Sequence, residues 1–359
     1  MAINRIFARS PFIIEVNELG QSGSKIELFI YKFGATPPTL PTYTLSKLIP
    51  ASNNLQTLYN IAPYLKEYLA HPSVPNNYNT NNSYTNINEY VLCDVKRYKK
   101  VGINYILLNT TTYYAYDGFG YYNENFNPQH TDIHLDEGNY YFFSDINNNP
   151  SVNPLEVAGT ITAYLEAGSS VKYTDFNTGA VNVNSILTTR HYNLFRVFPT
   201  SYLNGNKVQI YDNTTALIWE ANFYPIEECL YTPVTIDFVN KYGFFQREYF
   251  FKASFENLNT QTTDYNFMQP VMPNYSDLLN QRQTFNTNGL IGYRINTGWV
   301  DEVYSETMQQ ILLSERILLD NKPVKLKTQS LNKEKNINNK KINYSLEIES
   351  STDLINNVI

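Results

Sequence analysis

Along most of the chain, apolar and polar residues alternate with a period near two over short runs, the mark of half-buried strands. Pro11–Val16 and Ile26–Phe33 read as a strand pair joined by a turn over residues 20–24. Pro37, Pro38 and Pro41 then hold the chain extended, and Thr42–Leu48 resumes as a strand. Leu55–Tyr68 is ambiguous: Leu55, Leu58, Ile61 and Leu65 have helical spacing, but Pro63 interrupts any single long helix. After the Asn-rich stretch 71–88, read as a solvated loop, Tyr90–Val101 and Asn104–Tyr116 form two long β-branched and aromatic runs. Tyr140–Phe143 adds one more.

Between residues 160 and 255 the runs become regular. Thr160–Tyr164, Val171–Phe176, Tyr192–Phe198, Lys207–Tyr211, Thr214–Asn222, Tyr231–Asn240 and Gln246–Phe255 are separated by turn signals such as Asn204-Gly205 and Asp212-Asn213. Short strands at this spacing predict a β-sandwich. The polar region from Asn257 to Asn286, with Pro270 and Pro273, reads as a crossing into a last unit. There Gly289–Ile295 is a strand, 296–298 a turn, and Trp299–Leu313 switches to helical spacing. Val300, Tyr304, Met308, Ile311 and Leu312 fall on one face, with Thr297 or Asn296 as the expected cap. Arg316–Leu319, an Asp320–Pro323 turn, and strands at Val324–Thr328 and Ile342–Ile348 complete it. The expected fold is mainly β: two β-sandwich-like domains (1–150 and 155–256) and a small α+β module (257–359).

Composition narrows the function classes. Of 359 residues only 17% are charged while 15% are aromatic, with 31 Tyr and 20 Phe. Solubility therefore leans on Asn, Thr, Ser and Tyr, a surface suited to broad, wet contacts between subunits. The net charge of −6 argues against a general nucleic-acid binder. Cys93 and Cys229 cannot build a disulfide scaffold and sit in apolar runs, as buried free cysteines do. Neither a signal peptide nor a membrane span is expected.

Candidate chemistry is sparse. In His130-Thr131-Asp132-Ile133-His134-Leu135-Asp136, extended backbone would project His130, Asp132, His134 and Asp136 to one side, the pattern of a weak metal site. The opposing reading is a polar loop or strand edge with Ile133 and Leu135 turned inward, favoured by the flanking Asn-Pro and Glu-Gly. No cofactor is expected. There is no G-x-S-x-G, H-E-x-x-H or phosphate-binding glycine loop, and Glu227-Glu228 would point to opposite faces of a strand. Tyr113-Tyr114, Tyr121-Tyr122 and Tyr140–Phe143 form either a sugar-stacking platform or packed sheet faces. The lysines of the C-terminal hairpin (Lys322, Lys325, Lys327, Lys333, Lys335, Lys340, Lys341) form the one basic patch, either a contact for an acidic partner surface or a phosphate backbone, or a lysine-protected edge. The expected interface joins Lys325, Lys327, Lys333 and Lys335 to the outer helix face with Glu302 and Glu306.

Two groups of residues carry a family resemblance. Asn296–Glu302, Leu312–Glu315, Asp320–Val324 and Ile342–Glu349 resemble a C-terminal module of virion tail proteins in phages of Bacteroidota, of which the crAss-like podoviruses are the best known. Asp237–Gly243 leading into Tyr249–Lys252 resembles the preceding segment. The likeness implies a non-enzymatic structural protein of a short, multi-ring tail, made in the host cytoplasm and assembled as a closed ring below the portal. Its implied partners are copies of itself and neighbouring tail or portal proteins. An acidic balance would let DNA pass a lumen without sequence-specific binding. The alternative from a different class is a receptor- or glycan-binding tail adhesin.

Overall fold

A computed structural model describes residues 4–50, 55–70, 90–143, 159–197, 204–226, 233–252, 254–266, 278, 280–332 and 341–356. The protein is mainly β, with several sheets and a small helical piece near the C-terminus.

The N-terminal sheet contains β1 (Asn4–Phe7), β3 (Gly23–Lys32), β4 (Tyr43–Leu48), β6 (Tyr90–Val101) and β7 (Asn104–Tyr116). Its order is β1-β7-β6-β3-β4, with β1 parallel to the last residues of β7. A second pair, β2 (Ile13–Val16) with β5 (Thr57–Asn60), and the short helix α1 (Ala62–Lys66) cover one face. Ile6, Ile14, Ile26, Leu28, Tyr59, Leu65, Val91, Cys93 and Val95 fill the space between. Two expectations are corrected. The residues of β2 pair with β5 and not with β3, forming a second layer from which Ile14 and Val16 reach the core. The ambiguous 55–68 segment divides at Pro63, which lies in the first turn of α1, where its missing N–H costs nothing. Burial pushes the Cys93 thiol up to about 12, an inert core sulfur.

The middle unit is a sandwich. One sheet runs β11 (Val181–Ser185), β10 (Ser170–Asp175), β13 (Asn206–Tyr211), β14 (Leu217–Ile226), β8 (Gly138–Phe143); the other pairs β12 (Arg190–Phe195) with β9 (Thr160–Leu165). Phe142, Ile161, Tyr173, Leu194, Ile210, Trp219 and Phe223 pack between them. The expected turn at Asp212-Asn213 joins β13 to β14, and Asp212 Oδ1 accepts from the N–H of Thr214 and Ala216, both at 2.8 Å.

The C-terminal sheet has the order β16 (Phe245–Phe250), β15 (Val234–Val239), β19 (Ile317–Leu319), β20 (Lys322–Leu326), β21 (Lys341–Ser350), β18 (Arg282–Asp301), β17 (Phe255–Asn266). Helix α2 (Ser305–Leu313) lies on one face, burying Met308 and Ile311 against Ile342, Tyr344, Leu346 and Ile348. Of the expected stripe Val300, Tyr304, Met308 and Ile311 are buried and Leu312 is half-buried, but the helix starts later, at Ser305, so neither Asn296 nor Thr297 caps it. β18 runs on to Asp301, with a bulge between Asn296 and Trp299 where Gly298 takes φ +76°. Cross-strand pairing to β21 holds Val300 inside without a helix. Asn257–Asn286, expected as a polar crossing, contributes β17. Its ladder with β18 outweighs its weak apolar pattern. The Asp320-Asn321 turn between β19 and β20 has both residues at positive φ, as a two-residue hairpin requires.

Sheet membership crosses the expected boundaries. β8, placed before residue 150, pairs with β14 in the middle sandwich, and β15 and β16, placed before 256, pair into the C-terminal sheet. The Asn-rich 76–88 stretch, the 147–154 cluster, Glu227, Glu228 and Cys229 lie outside the described residues. No helix among the described residues is long and apolar enough to cross a membrane.

Candidate functional sites: a histidine cluster and an assembly face

Where the three units meet, the segment 130–136 runs along β9. The His134 N–H donates to Thr162 O (2.9 Å) and the Tyr164 N–H to Asp132 O (2.7 Å). Alternation then sorts the side chains. Ile133 and Leu135 enter the middle core, while His130 and His134 turn toward the ends of β1, β6 and β7. There the His134 ring stands 4.9 Å from His130 and 4.3 Å from Phe244. His191, brought from β12, stands 6.0 Å from His134 and 4.5 Å from Tyr90. Tyr116 is central to the group: its ring is 4.6 Å from His130, and its hydroxyl is 2.9 Å from His191 Nε2.

The expected quartet is thus split. The carboxylates are taken up elsewhere: Asp132 pairs with Arg5, while Asp136 Oδ1 is 2.7 Å from Lys241 Nζ and accepts from the Tyr242 hydroxyl at 2.7 Å. Gln310 Nε2 donates to Asp136 Oδ2 at 2.5 Å, tying the segment to α2. Among the described residues, no group of three or more His, Cys, Asp or Glu side chains is placed to hold a metal ion. His191 was invisible as a member because its approach depends on the β9–β12 pairing, which brings Tyr164 opposite it.

The electrostatics make this a dry, neutral cluster. Burial is the main cause that pushes His130 and His191 down to about 3, and the Arg5 charge acts in the same direction. His134 is driven well below the usual imidazole range by burial and then by the other two histidines. His130 Nδ1 donates to Thr131 O at 2.7 Å. Both ring nitrogens of His134 are buried without a hydrogen-bond partner, an arrangement that costs about 1–3 kcal/mol per lost bond. Gly243 closes the floor at φ +89°, where a Cβ would stand 2.7 Å from the Asp117 nitrogen.

A second buried polar network seals the middle sandwich to the C-terminal sheet. Arg196 Nη1 lies 3.6 Å from Glu248 Oε1 and donates to Arg247 O at 2.7 Å. Glu248 also accepts from Gln246 (2.9 Å) and from the Tyr304 hydroxyl (3.0 Å). Burial holds the Glu248 carboxyl above its ordinary range despite Arg196. Arg247 grips Asp237 with two bonds of 2.8 and 2.7 Å.

The expected interface residues do not share a surface. Lys325 and Lys327 project from the face of the C-terminal sheet opposite α2, with Lys327 Nζ 2.6 Å from Glu349. Glu306 and Glu302 lie on the helix side. β20 and β21 are also interior strands, so the lysines decorate a face and do not protect an edge. Lys333, Lys335 and Lys340 lie outside the described residues. Two of the three tyrosine runs turn inward: Tyr140 and Phe142 are core, Tyr141 and Phe143 pack against it, and Tyr113 is half-buried against the N-terminal core, whereas Tyr122 is fully exposed and Tyr121 lines a groove. A groove of about 710 Å³ between α2 and residues 326–331 is lined by Gln309, Leu312, Leu313, Leu326 and Leu331, with Tyr121 its one titratable group. No family model matches the chain, and no curated protein matches it.

Proposed function

We propose that this chain is a non-enzymatic structural subunit of a phage tail, forming or attaching to a ring or hub of a short multi-ring tail below the portal. The C-terminal resemblance motivates the reading, which also takes in the virion tail as location and neighbouring tail or portal proteins as partners. One feature of the fold supports it above others. The β17–β18 strand pair leaves the body of the C-terminal sheet and carries apolar side chains into solvent, a form that favours contact with a neighbour. Ring closure would bury such surface without leaving an open edge. The interior supports a scaffold: its buried histidines and ion pairs are locked between units. The acidic balance suits a lumen through which DNA passes.

The glycan-binding alternative is weakened, because two of the three aromatic runs behind it pack against cores and only Tyr122 of the third stands fully exposed. The test is to measure the mass of the purified chain in solution by light scattering and to probe purified particles for it by mass spectrometry. A chain that stays monomeric and is missing from particles would overturn the proposal.

A further inference from the structure

Two long sheet edges among the described residues lack a neighbouring strand. β17 pairs with β18 alone, and no described strand lies on the other side of Phe255–Asn266. β7 is covered by β1 only from Tyr113 to Tyr116, so the outer side of residues 104–112 has no partner strand among the described residues. Neither stretch contains proline, lysine or arginine, the usual protections of an edge. By contrast, the edge strand β4 follows Pro37, Pro38 and Pro41 and carries Lys47.

The β17 side also lacks support. β18 pairs with β21 from Gly292 onward, and the C-terminal segment touches it at Gly289, where the Leu354 N–H donates to Gly289 O at 2.8 Å. Beyond Asn288, whose side chain bonds Asp353 and Ile355 of that segment, Thr262–Asn266 and Arg282–Thr287 form a two-stranded ribbon about 17 Å long. A lone ribbon of this kind is marginal in water and gains order from a third strand. Exposed apolar residues on β17 and β18 include Phe255 (64%), Leu258 (55%) and Phe285 (71%), and those on β7 include Ile106 (47%) and Leu107 (50%).

We propose that the open edge of β17 pairs with residues 104–112 of β7 in a second copy of this chain, joining the C-terminal sheet of one subunit to the N-terminal sheet of the next. The occupant follows from two matches. The edges are of comparable length, and their charges are complementary: β17 carries Glu256 and Asp264 and no cation, while β6, beside the β7 edge, carries Lys96, Arg97, Lys99 and Lys100 against Asp94 alone. Because the two surfaces differ, the contact is head-to-tail, which generates rings or filaments in place of a closed dimer. The proposal rests on the subunit reading for its choice of a second copy. Main-chain hydrogen bonds supply the attraction, and the side chains fix the register.

The test uses two full-length variants altered at exposed positions. Leu258→Lys with Thr262→Lys blocks the β17 edge, and Ile106→Lys with Thr110→Lys blocks the β7 edge. Wild type should form assemblies larger than a dimer by mass photometry. Each variant should weaken association by roughly tenfold or more, as a lysine on a paired edge does. Mixed together, the two variants should form one-to-one dimers and nothing larger, because each supplies the edge the other lacks. If either double variant loses its cooperative melt, Thr262→Lys or Thr110→Lys alone replaces it. Wild-type assembly that either blocked variant retains would overturn edge pairing and leave the tail-subunit reading standing. Variants that stay monomeric when mixed would overturn the head-to-tail arrangement. A wild-type chain that stays monomeric yet is found in purified particles would overturn self-pairing alone.

Discussion

Acid should destabilise this protein before most of its carboxylates titrate. The perturbation is a fall in pH from 7 to 5, acting on His130, His134 and His191. In the unfolded chain each has a pKa near 6.5. In the folded chain burial holds His130 and His191 at about 3 and His134 well below its usual value. The sign follows directly: the unfolded state binds more protons below pH 6.5, so these groups contribute stability above that pH that is lost as pH falls toward 3. Each neutral buried imidazole loses about 1.4 kcal/mol per pH unit in this window, or about 2 kcal/mol at pH 5. His134 and His191 contribute fully, whereas half-buried His130 contributes less, for a sum of about 4–5 kcal/mol. That is a large share of the 5–15 kcal/mol that holds a domain folded. Asp132 and Glu248 work the other way, since burial raises both and acid then favours the folded form. Both make the acid slope shallower. Urea unfolding followed by circular dichroism at pH 7, 6, 5.5 and 5 reads the slope. His134→Leu, of similar size and without the two unpaired nitrogens, should leave pH 7 stability equal or higher and make the acid slope shallower. A stability that is flat from pH 7 to 5 refutes the reasoning.

Other outcomes follow from the packing. Met308→Ala or Ile311→Ala removes a fully buried side chain from the C-terminal core and should cost about 2–5 kcal/mol, seen as a lowered melting temperature. Arg196→Leu strands the Glu248 carboxylate and should cost about 3–5 kcal/mol, while Arg196→Leu with Glu248→Leu should recover much of that loss, a comparison made by double-mutant cycle. Lys325→Glu with Lys327→Glu disturbs only an exposed pair, so the melting temperature should move little, and any association through this face should weaken in a salt-dependent way by light scattering. A chelator should leave the melting temperature unchanged, and a fall of several degrees would show that metal is bound.

Local pattern alone placed several elements. β13 and β21 stand where the period-two pattern puts them, β6 and β7 where their β-branched and aromatic runs put them, and Met308 and Ile311 are buried as their helical spacing requires. Pro63 and the Asp320-Asn321 turn also announced themselves, because proline and positive-φ positions act locally. Which strands meet depended on contacts between distant segments. β2 leaves its chain neighbour for β5, and β17 is a strand because β18 holds it, although its residues are polar almost throughout. The histidine segment shows the same division. Alternation correctly turned Ile133 and Leu135 inward and set His130 and His134 on the other side. It could not tell that side from solvent, because that depended on Tyr116, Phe244 and His191 arriving from distant strands. Local periodicity tells which residues share a face; what that face meets is settled by pairings between residues far apart in sequence.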